Sequence, residues 1–253
     1  MTAGRRVAVV TGASAGIGAA TARALAADGW HVVAGARRTE RIEALAEEIG
    51  GTAITLDVTD PASVDAFVDS MAARAGTGGC QLLVNNAGGA LGVELLSEAV
   101  DEKWSKMFET NVLGLMRMTR GLLPHLVASG DGHVVNVTSI AALQGYPGGS
   151  GYNAAKFAAH GVTESLRHEL LGQPVRVTEI LPGMVETEFS TVRFDGDAER
   201  AAQVYAGLQP LSGGDVAECI RWAVSLPSHV NVDSIVVKPR AQADAFRTHR
   251  EGR

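Results

Sequence analysis

Short apolar runs that alternate with longer amphipathic ones confine this chain to a parallel sheet with helices packed on both faces. The apolar runs fall at residues 7–10, 31–36, 52–56, 81–84, 133–137, 175–181 and 235–237, and each is short enough to read as a buried strand. Residues 19–27, 41–49, 62–74, 102–127, 152–171 and 215–225 instead repeat their apolar side chains at helical spacing. Alternating strand and helix returns each strand parallel to the last through a right-handed crossover, so both faces of the sheet become covered. The expectation is a single α/β domain over residues 1–253, a doubly wound sheet of about seven parallel strands.

Composition narrows the partners. The chain has 253 residues, 46% of them apolar, enough for a large core, and its net charge of −6 offers no basic footprint for nucleic acid. Only Cys80 and Cys219 are present, with no clustered histidines, so neither a disulfide framework nor a metal site is expected. The opening Met1-Thr-Ala-Gly-Arg-Arg6 runs straight into the first apolar segment, which is too short for a signal-peptide core, and no run reaches membrane-spanning length. These readings point to a cytoplasmic protein whose partner is a small molecule.

Two stretches break the alternation: the Gly/Ala-rich residues 86–94 after the fourth strand, and residues 182–211, which mix Pro, Gly and charge. Ligands of open α/β sheets sit beyond the carboxyl ends of the strands, where such loops emerge, and the second stretch is long enough to form a substrate lid at about 183–211.

Gly12, Gly16 and Gly18 stand between the first strand and the first helix, where missing side chains allow a tight turn and close approach of a pyrophosphate to the helix N-terminus. The arrangement suits a Rossmann-type nucleotide site, although the spacing is not the common GxGxxG. At the end of the second strand, Val33-Ala-Gly-Ala-Arg-Arg38 has Ala36 where an NAD site normally carries an acid for the ribose hydroxyl. Arg37 and Arg38 beside it offer a fork for a 2′-phosphate, so NADP(H) is the expected cofactor.

Tyr152 and Lys156 lie at i,i+4 on one helix face, where a phenol and an ammonium can address the same small volume. A free phenol has a pKa near ~10, and a cation close by lowers it by roughly 1–3 units, towards the range useful for acid–base catalysis. A carbonyl that accepts hydride develops negative charge on oxygen, which the Ser139 hydroxyl and the Tyr152 proton would stabilise. The ordered set Thr11-Gly-x-x-x-Gly-x-Gly18, Asn85-Asn-Ala-Gly88, Asn111, Ser139, Tyr152-x-x-x-Lys156 and Pro182-Gly183 resembles the short-chain dehydrogenase/reductase family from Arg5 to about Lys238.

That resemblance implies roles for individual residues. Tyr152 would be the general acid/base, Ser139 would bind the substrate oxygen, and Lys156 would bind the nicotinamide ribose and lower the tyrosine pKa. Asn111 would hold a water of the proton relay, and a mid-helix asparagine also marks a possible kink. The cofactor would contact Gly12, Ser14, Gly16, Ile17 and Gly18, with Arg37 and Arg38 at its 2′-phosphate and Asp57 and Val58 at its adenine. Asn85, Ala87 and Gly88 would floor its site, and Pro182, Gly183, Val185 and Thr187 would complete it, the last two at the carboxamide.

A narrower resemblance covers residues 182–197 and 225–231, which look like those of bacterial NADP-dependent 3-hydroxy acid (serine, allo-threonine) dehydrogenases, with clavulanate-type aldehyde reductases as a neighbouring possibility. The segment 140–151 departs from that subgroup at Leu143, Gln144 and Gly145, which would border the substrate together with Tyr146. Arg193, between Val192 and Phe194, could bind a substrate carboxylate or form a structural salt bridge with Glu186, Glu188 or Asp195. A non-catalytic NADPH sensor would not need the acid/base pair, and sugar-nucleotide epimerases, which share Tyr-x-x-x-Lys, carry a larger substrate domain. The family also implies a homotetramer formed through helices 102–127 and 152–171, whose apolar Leu113, Leu115, Met116, Met118, Phe157, Val162 and Leu166 occupy more than one face.

Overall fold

Val7-Ala-Val-Val-Thr11 is buried at every position because it runs through the middle of the sheet, covered on both faces. The structure is a computed structural model that describes residues 6–75 and 79–252. The reading of the chain's first residues, and Arg5 at the start of the family resemblance, lie outside the described residues.

Seven parallel strands form one sheet: β1 (Val7–Thr11), β2 (His31–Ala36), β3 (Thr52–Thr55), β4 (Leu82–Asn85), β5 (Gly132–Val137), β6 (Val175–Pro182) and β7 (Ser234–Val237). Their spatial order is β3-β2-β1-β4-β5-β6-β7, and every neighbouring pair is parallel. The chain therefore winds outward from β1 to β3, crosses back, and winds outward on the other side from β4. Helices α1 (Gly16–Ala27), α2 (Thr39–Ile49), α3 (Pro61–Ala75), α4 (Asp101–Phe108), α5 (Gly114–Ala128) and α6 (Ser150–Glu169) make the crossovers. The segment after β6 carries α7 (Phe189–Arg193) and α8 (Ala198–Gln203), and α9 (Gly213–Ser225) leads to β7.

Alternation along β1 divides the core. Ala8 and Val10 pack with Leu25, Ile42, Val216 and Ile220 on one face, whereas Val7 and Val9 pack with Phe67, Met71, Met118 and Leu122 on the other. A third cluster, which includes Ala90, Met107, Ala141, Tyr152 and Ala155, sits at the carboxyl end of the sheet.

The expected single helix over residues 102–127 is interrupted. Between α4 and α5 the residues Glu109–Leu113 form a π-helical turn, with Asn111 buried inside it. Each of the Asn111 amide contacts runs to backbone of the preceding turn of α4 or of the 86–94 loop, which is the competing attraction that widens the helix there. Among the described residues no helix is long and apolar enough to cross a membrane.

His133 in β5 is buried, and its Nε2 lies 2.8 Å from the Thr178 hydroxyl of β6. Burial, assisted by the nearby Arg176 charge, pulls its pKa from the ordinary value of 6.5 down to about 3. Between those two values the unfolded chain takes up a proton that the folded chain refuses, so stability falls as pH drops through that window. A His133→Gln variant, which has no proton to take up there, should lose less stability between pH 6.5 and pH 4 than the native chain. Thermal unfolding midpoints across that range check it, and parallel curves for the two proteins would remove His133 from the explanation.

Candidate active site

Where β1 and β4 part, two loops diverge over the carboxyl edge of the sheet and are tied together by side chains. The Thr11 hydroxyl accepts hydrogen bonds from the amides of Asn86 and Ala87, both at 3.0 Å. The Asn86 side-chain amide donates to the carbonyls of Thr11 and Gly12 at 3.0 and 3.3 Å. A groove of about 380 Å3 opens above this junction, the topological switch point at which open α/β sheets bind nucleotides.

The glycines make the groove's floor. Gly12 and Gly16 have positive φ of 65° and 56°, and a β-carbon on Gly12 would come within 2.9 Å of the Ala87 Cα. A β-carbon on Gly18 would meet the Gly12 carbonyl oxygen. Helix α1 follows with Ala15 at its cap, so no side chain caps its first amides. A bare amide terminus above a glycine cradle fits a pyrophosphate.

At one end of the groove Arg38 donates to the Ser14 hydroxyl through Nε and Nη2 at 3.0 and 2.9 Å, and through Nη1 to Glu188 at 2.6 Å. Arg41 holds the other Glu188 oxygen at 2.7 Å, so this corner already gathers guanidinium groups around an anionic carboxylate. Arg37 lines the same end, where its charge helps hold the Asp57 carboxyl below its usual range, together with bonds from the Thr59 amide and hydroxyl and against the effect of burial. Val58, Ile17, Ala87, Gly88 and Thr187 also line the groove. Asn85 does not: it is buried beneath, and its amide donates to Thr119 and Asn136 at 2.9 Å.

Tyr152 and Lys156 rise from α6 at the far end, both buried. Burial pushes the Tyr152 phenol well above its ordinary pKa, with the Tyr146 phenol adding to the rise, while a hydrogen bond from Ser139 and the Arg193 charge oppose it. Lys156 is pulled down to about 8 by burial, against the pull of the Glu179 carboxylate. Its Nζ donates to the Val137 carbonyl at 3.2 Å and lies 5.7 Å from the Tyr152 ring centroid. In the chain by itself the Ser139 hydrogen bond and the Arg193 charge lower the tyrosine pKa, and desolvation outweighs them.

Ser139 follows β5 by two residues and caps the short turn Ile140–Ala142 by accepting from the Ala141 amide at 3.1 Å. Asn111 donates through Nδ2 to the carbonyls of Met107 and Gly89, at 2.8 and 2.9 Å, and accepts from the Gly89 amide at 3.2 Å.

A second cavity of about 360 Å3 lies across Tyr152 from the groove, lined by Ser139, Tyr146, Pro182, Gly183, Val185 and Arg193 among others. Tyr152, Ile17, Thr138, Thr187 and Phe189 line both spaces. Gln144 does not line the second cavity; its side-chain oxygen accepts from the Ala245 amide at 3.1 Å. Among the described residues Arg193 makes none of the three ion pairs considered for it, and donates instead to the Gly92 and Gly148 carbonyls and the Tyr146 hydroxyl at 3.0, 3.2 and 3.0 Å.

Several residues of this region escaped the sequence reading. Gln242, Phe246, Thr248 and Arg250 of the C-terminal segment wall the second cavity, and nothing in their local pattern marks them. Glu179, fully buried in β6, accepts from Thr138 at 2.6 Å and sits 2.7 Å from His160 Nδ1. A charged residue inside the apolar run Val175–Pro182 was a usable signal for it.

The model of the family described as short chain dehydrogenase matches residues 6–198. The chain belongs to the short-chain dehydrogenase family. It is 59% identical to an uncharacterized oxidoreductase of Mycobacterium tuberculosis over 96% of this chain and 94% of that one. The NADP-dependent 3-hydroxy acid dehydrogenase YdfG of Salmonella typhi is 40% identical over 94% of this chain and 97% of its own. A solved serine dehydrogenase in a closed form complexed with NADP+ superposes with a TM-score of 0.91 at 39% identity, covering 97% of this chain and 100% of that one.

Because Asn111 satisfies backbone groups of two segments, Asn111→Ala should lower the unfolding free energy by about 1–3 kcal/mol, the cost of leaving buried partners unpaired. Urea denaturation measures it. A change below about 0.5 kcal/mol, typical of surface substitutions, would show that the π-turn holds without the side chain.

Proposed function

We propose that this short-chain dehydrogenase transfers a hydride between NADP(H) and a secondary alcohol or its carbonyl, the alcohol being a small 3-hydroxy acid. The observation that carries the reading is the position of Tyr152, whose ring forms part of the wall between the nucleotide groove and the second cavity. Bound NADPH supplies the hydride, or NADP accepts it in the reverse direction. The residues of the chain bind, orient and handle the proton.

In reduction, the Tyr152 phenol gives its proton to the substrate oxygen, and Ser139 donates a hydrogen bond to the same oxygen as negative charge grows there. Burial suits this direction, since a phenol held protonated in a dry site has a proton ready to give. Lys156, with its pKa near 8, returns a proton to Tyr152, and Asn111 connects Lys156 to solvent through a water. The Gly12–Gly18 cradle takes the pyrophosphate, Arg37 and Arg38 the 2′-phosphate, Asp57 and Val58 the adenine, and Val185 and Thr187 the carboxamide.

Relatives named as 3-hydroxy acid and serine dehydrogenases support the substrate class. The second cavity is roomy for a three-carbon acid, which keeps reduction of a larger specialised-metabolite aldehyde as the alternative. Residues 183–211 act as the lid, since α7 and Val185 wall the cavity. Leu113 and Phe157, 38% and 45% exposed near the start of α5 and on α6, support a homotetramer through those helices.

Tyr152→Phe should reduce kcat at least about a hundredfold, the scale of a lost general acid, and leave NADPH affinity within about twofold. Steady-state oxidation of NADPH with 3-oxo acids, paired with calorimetric titration, tests this; substantial residual turnover would place the proton donor elsewhere. The Arg37→Ala/Arg38→Ala protein should lose roughly tenfold or more in NADPH affinity while NADH affinity barely moves, the scale of a charge-assisted hydrogen bond. Equal losses for the two nucleotides would mean that the arginines support the loop.

A further inference from the structure

The second cavity has an unbalanced charge. Arg193 enters it from α7 and Arg250 from the C-terminal segment, and no Asp or Glu is among its lining residues. The Arg250 guanidinium donates to the carbonyls of Ala206 and Val204 at 2.5 and 2.9 Å, and the acceptors of Arg193 are likewise neutral. A guanidinium carries more N–H groups than these contacts use, so each can still take an anionic oxygen.

No carboxylate lines the cavity itself; Glu186, between the lining Val185 and Thr187, acts on Tyr205 from behind the wall, and three others nearby are already held. Asp244 pairs with Arg247 and accepts from the amides of Phe246 and Arg247, Glu188 holds Arg38 and Arg41, and Glu94 holds Lys103. The rest of the wall is largely apolar, from Ile140, Ala141, Met184, Phe189 and Val204. An amino acid such as serine would bring its α-ammonium into a space whose lining has two cations and no carboxylate. Like charges within a few ångströms in a partly desolvated site repel strongly.

Resting on the 3-hydroxy acid reading, we propose that the substrate is a 3-hydroxy or 3-oxo acid without an amino group, and that Arg250 is a residue that sets this preference. The chain would thereby differ in substrate from its relatives named for serine. The C-terminal segment delivers Arg250 because it folds back over the cavity: Gln242 accepts from the Met184 amide at 2.8 Å, Gln144 accepts from Ala245, and the Glu251 amide donates to Gly207.

The matched pair 3-hydroxybutanoate and allo-threonine, which differ by the α-ammonium alone, tests the proposal in NADP-dependent oxidation by the full chain. Wild-type kcat/KM should favour 3-hydroxybutanoate by roughly tenfold or more. Arg250→Gln should shrink that ratio several-fold, mainly by raising KM for 3-hydroxybutanoate, with Arg250→Lys intermediate and NADPH affinity unchanged in both as a check that they fold. A wild-type preference for allo-threonine, or equal rates for the two, would overturn the inference and leave the 3-hydroxy acid reading intact. A parallel loss for both substrates in the Arg250 variants would also overturn it, since it would assign Arg250 to holding the segment. If neither acid turned over while the methyl ester of 3-hydroxybutanoate did, the 3-hydroxy acid reading itself would fall, and the inference with it.

Discussion

The hydrogen bonds that join Thr11 to Asn86 and Ala87 set the geometry on which the site depends. A doubly wound sheet must part its loops where the winding reverses, and parted loops expose backbone amides beside buried strands. Here one hydroxyl takes two of those amides, and one side-chain amide covers two carbonyls. The opening stays narrow as a result, and only glycine can stand at positions 12 and 18, where an added β-carbon would strike Ala87 or the Gly12 carbonyl. Alanine at either position would push the two loops apart, so the cradle and the strand junction form one unit.

A second polar set anchors α6 to the sheet beneath the chemistry. Asn85, Asn136 and Thr163 link β4, β5 and α6 through bonds of 2.9 Å, and Thr138, Glu179 and His160 link β5, β6 and α6. A fully buried carboxylate is costly unless it is hydrogen-bonded, and Glu179 has partners on both oxygens. Its charge also opposes the desolvation of Lys156, so the same group that fixes the helix keeps the buried lysine closer to its charged form.

Local pattern revealed the strands and the i,i+4 pair because short apolar runs and helical spacing are both local signals. The strand at 31–36 has the expected bounds, and β4 is displaced by one residue, to Leu82–Asn85, since Asn85 pairs side by side with Asn136. Period could not reveal the π-turn within residues 102–127, because the apolar spacing on either side of Asn111 continues and the turn is stabilised by Gly89, which is distant in sequence. The same limit explains Gln144 and Arg193. The partners that hold them, Ala245 and the Gly92 and Gly148 carbonyls, arrive through tertiary folding. The C-terminal wall lay beyond the part of the chain that resembles the family, and its hairpin, with one bridge between Gln242 and Thr248, has too little regular structure to produce a periodic signal.

The distribution of charge departs from its total. With a net charge of −6 the chain as a whole repels anions, yet both ends of the site present arginines to the ligand. The acids are drawn into pairs away from the cavities: Glu48 with Arg23, Glu109 with Arg117, Asp28 with Arg221, Glu94 with Lys103. Exposed pairs of this kind add little stability each, about 0–1 kcal/mol. Glu188 is the exception, since it reaches from the 183–211 segment to Arg38 and Arg41 at the nucleotide groove. On the proposed reading, a nucleotide phosphate at that corner would compete with Glu188 for the same guanidinium groups and so couple cofactor binding to the position of the segment that also carries Arg193 into the second cavity.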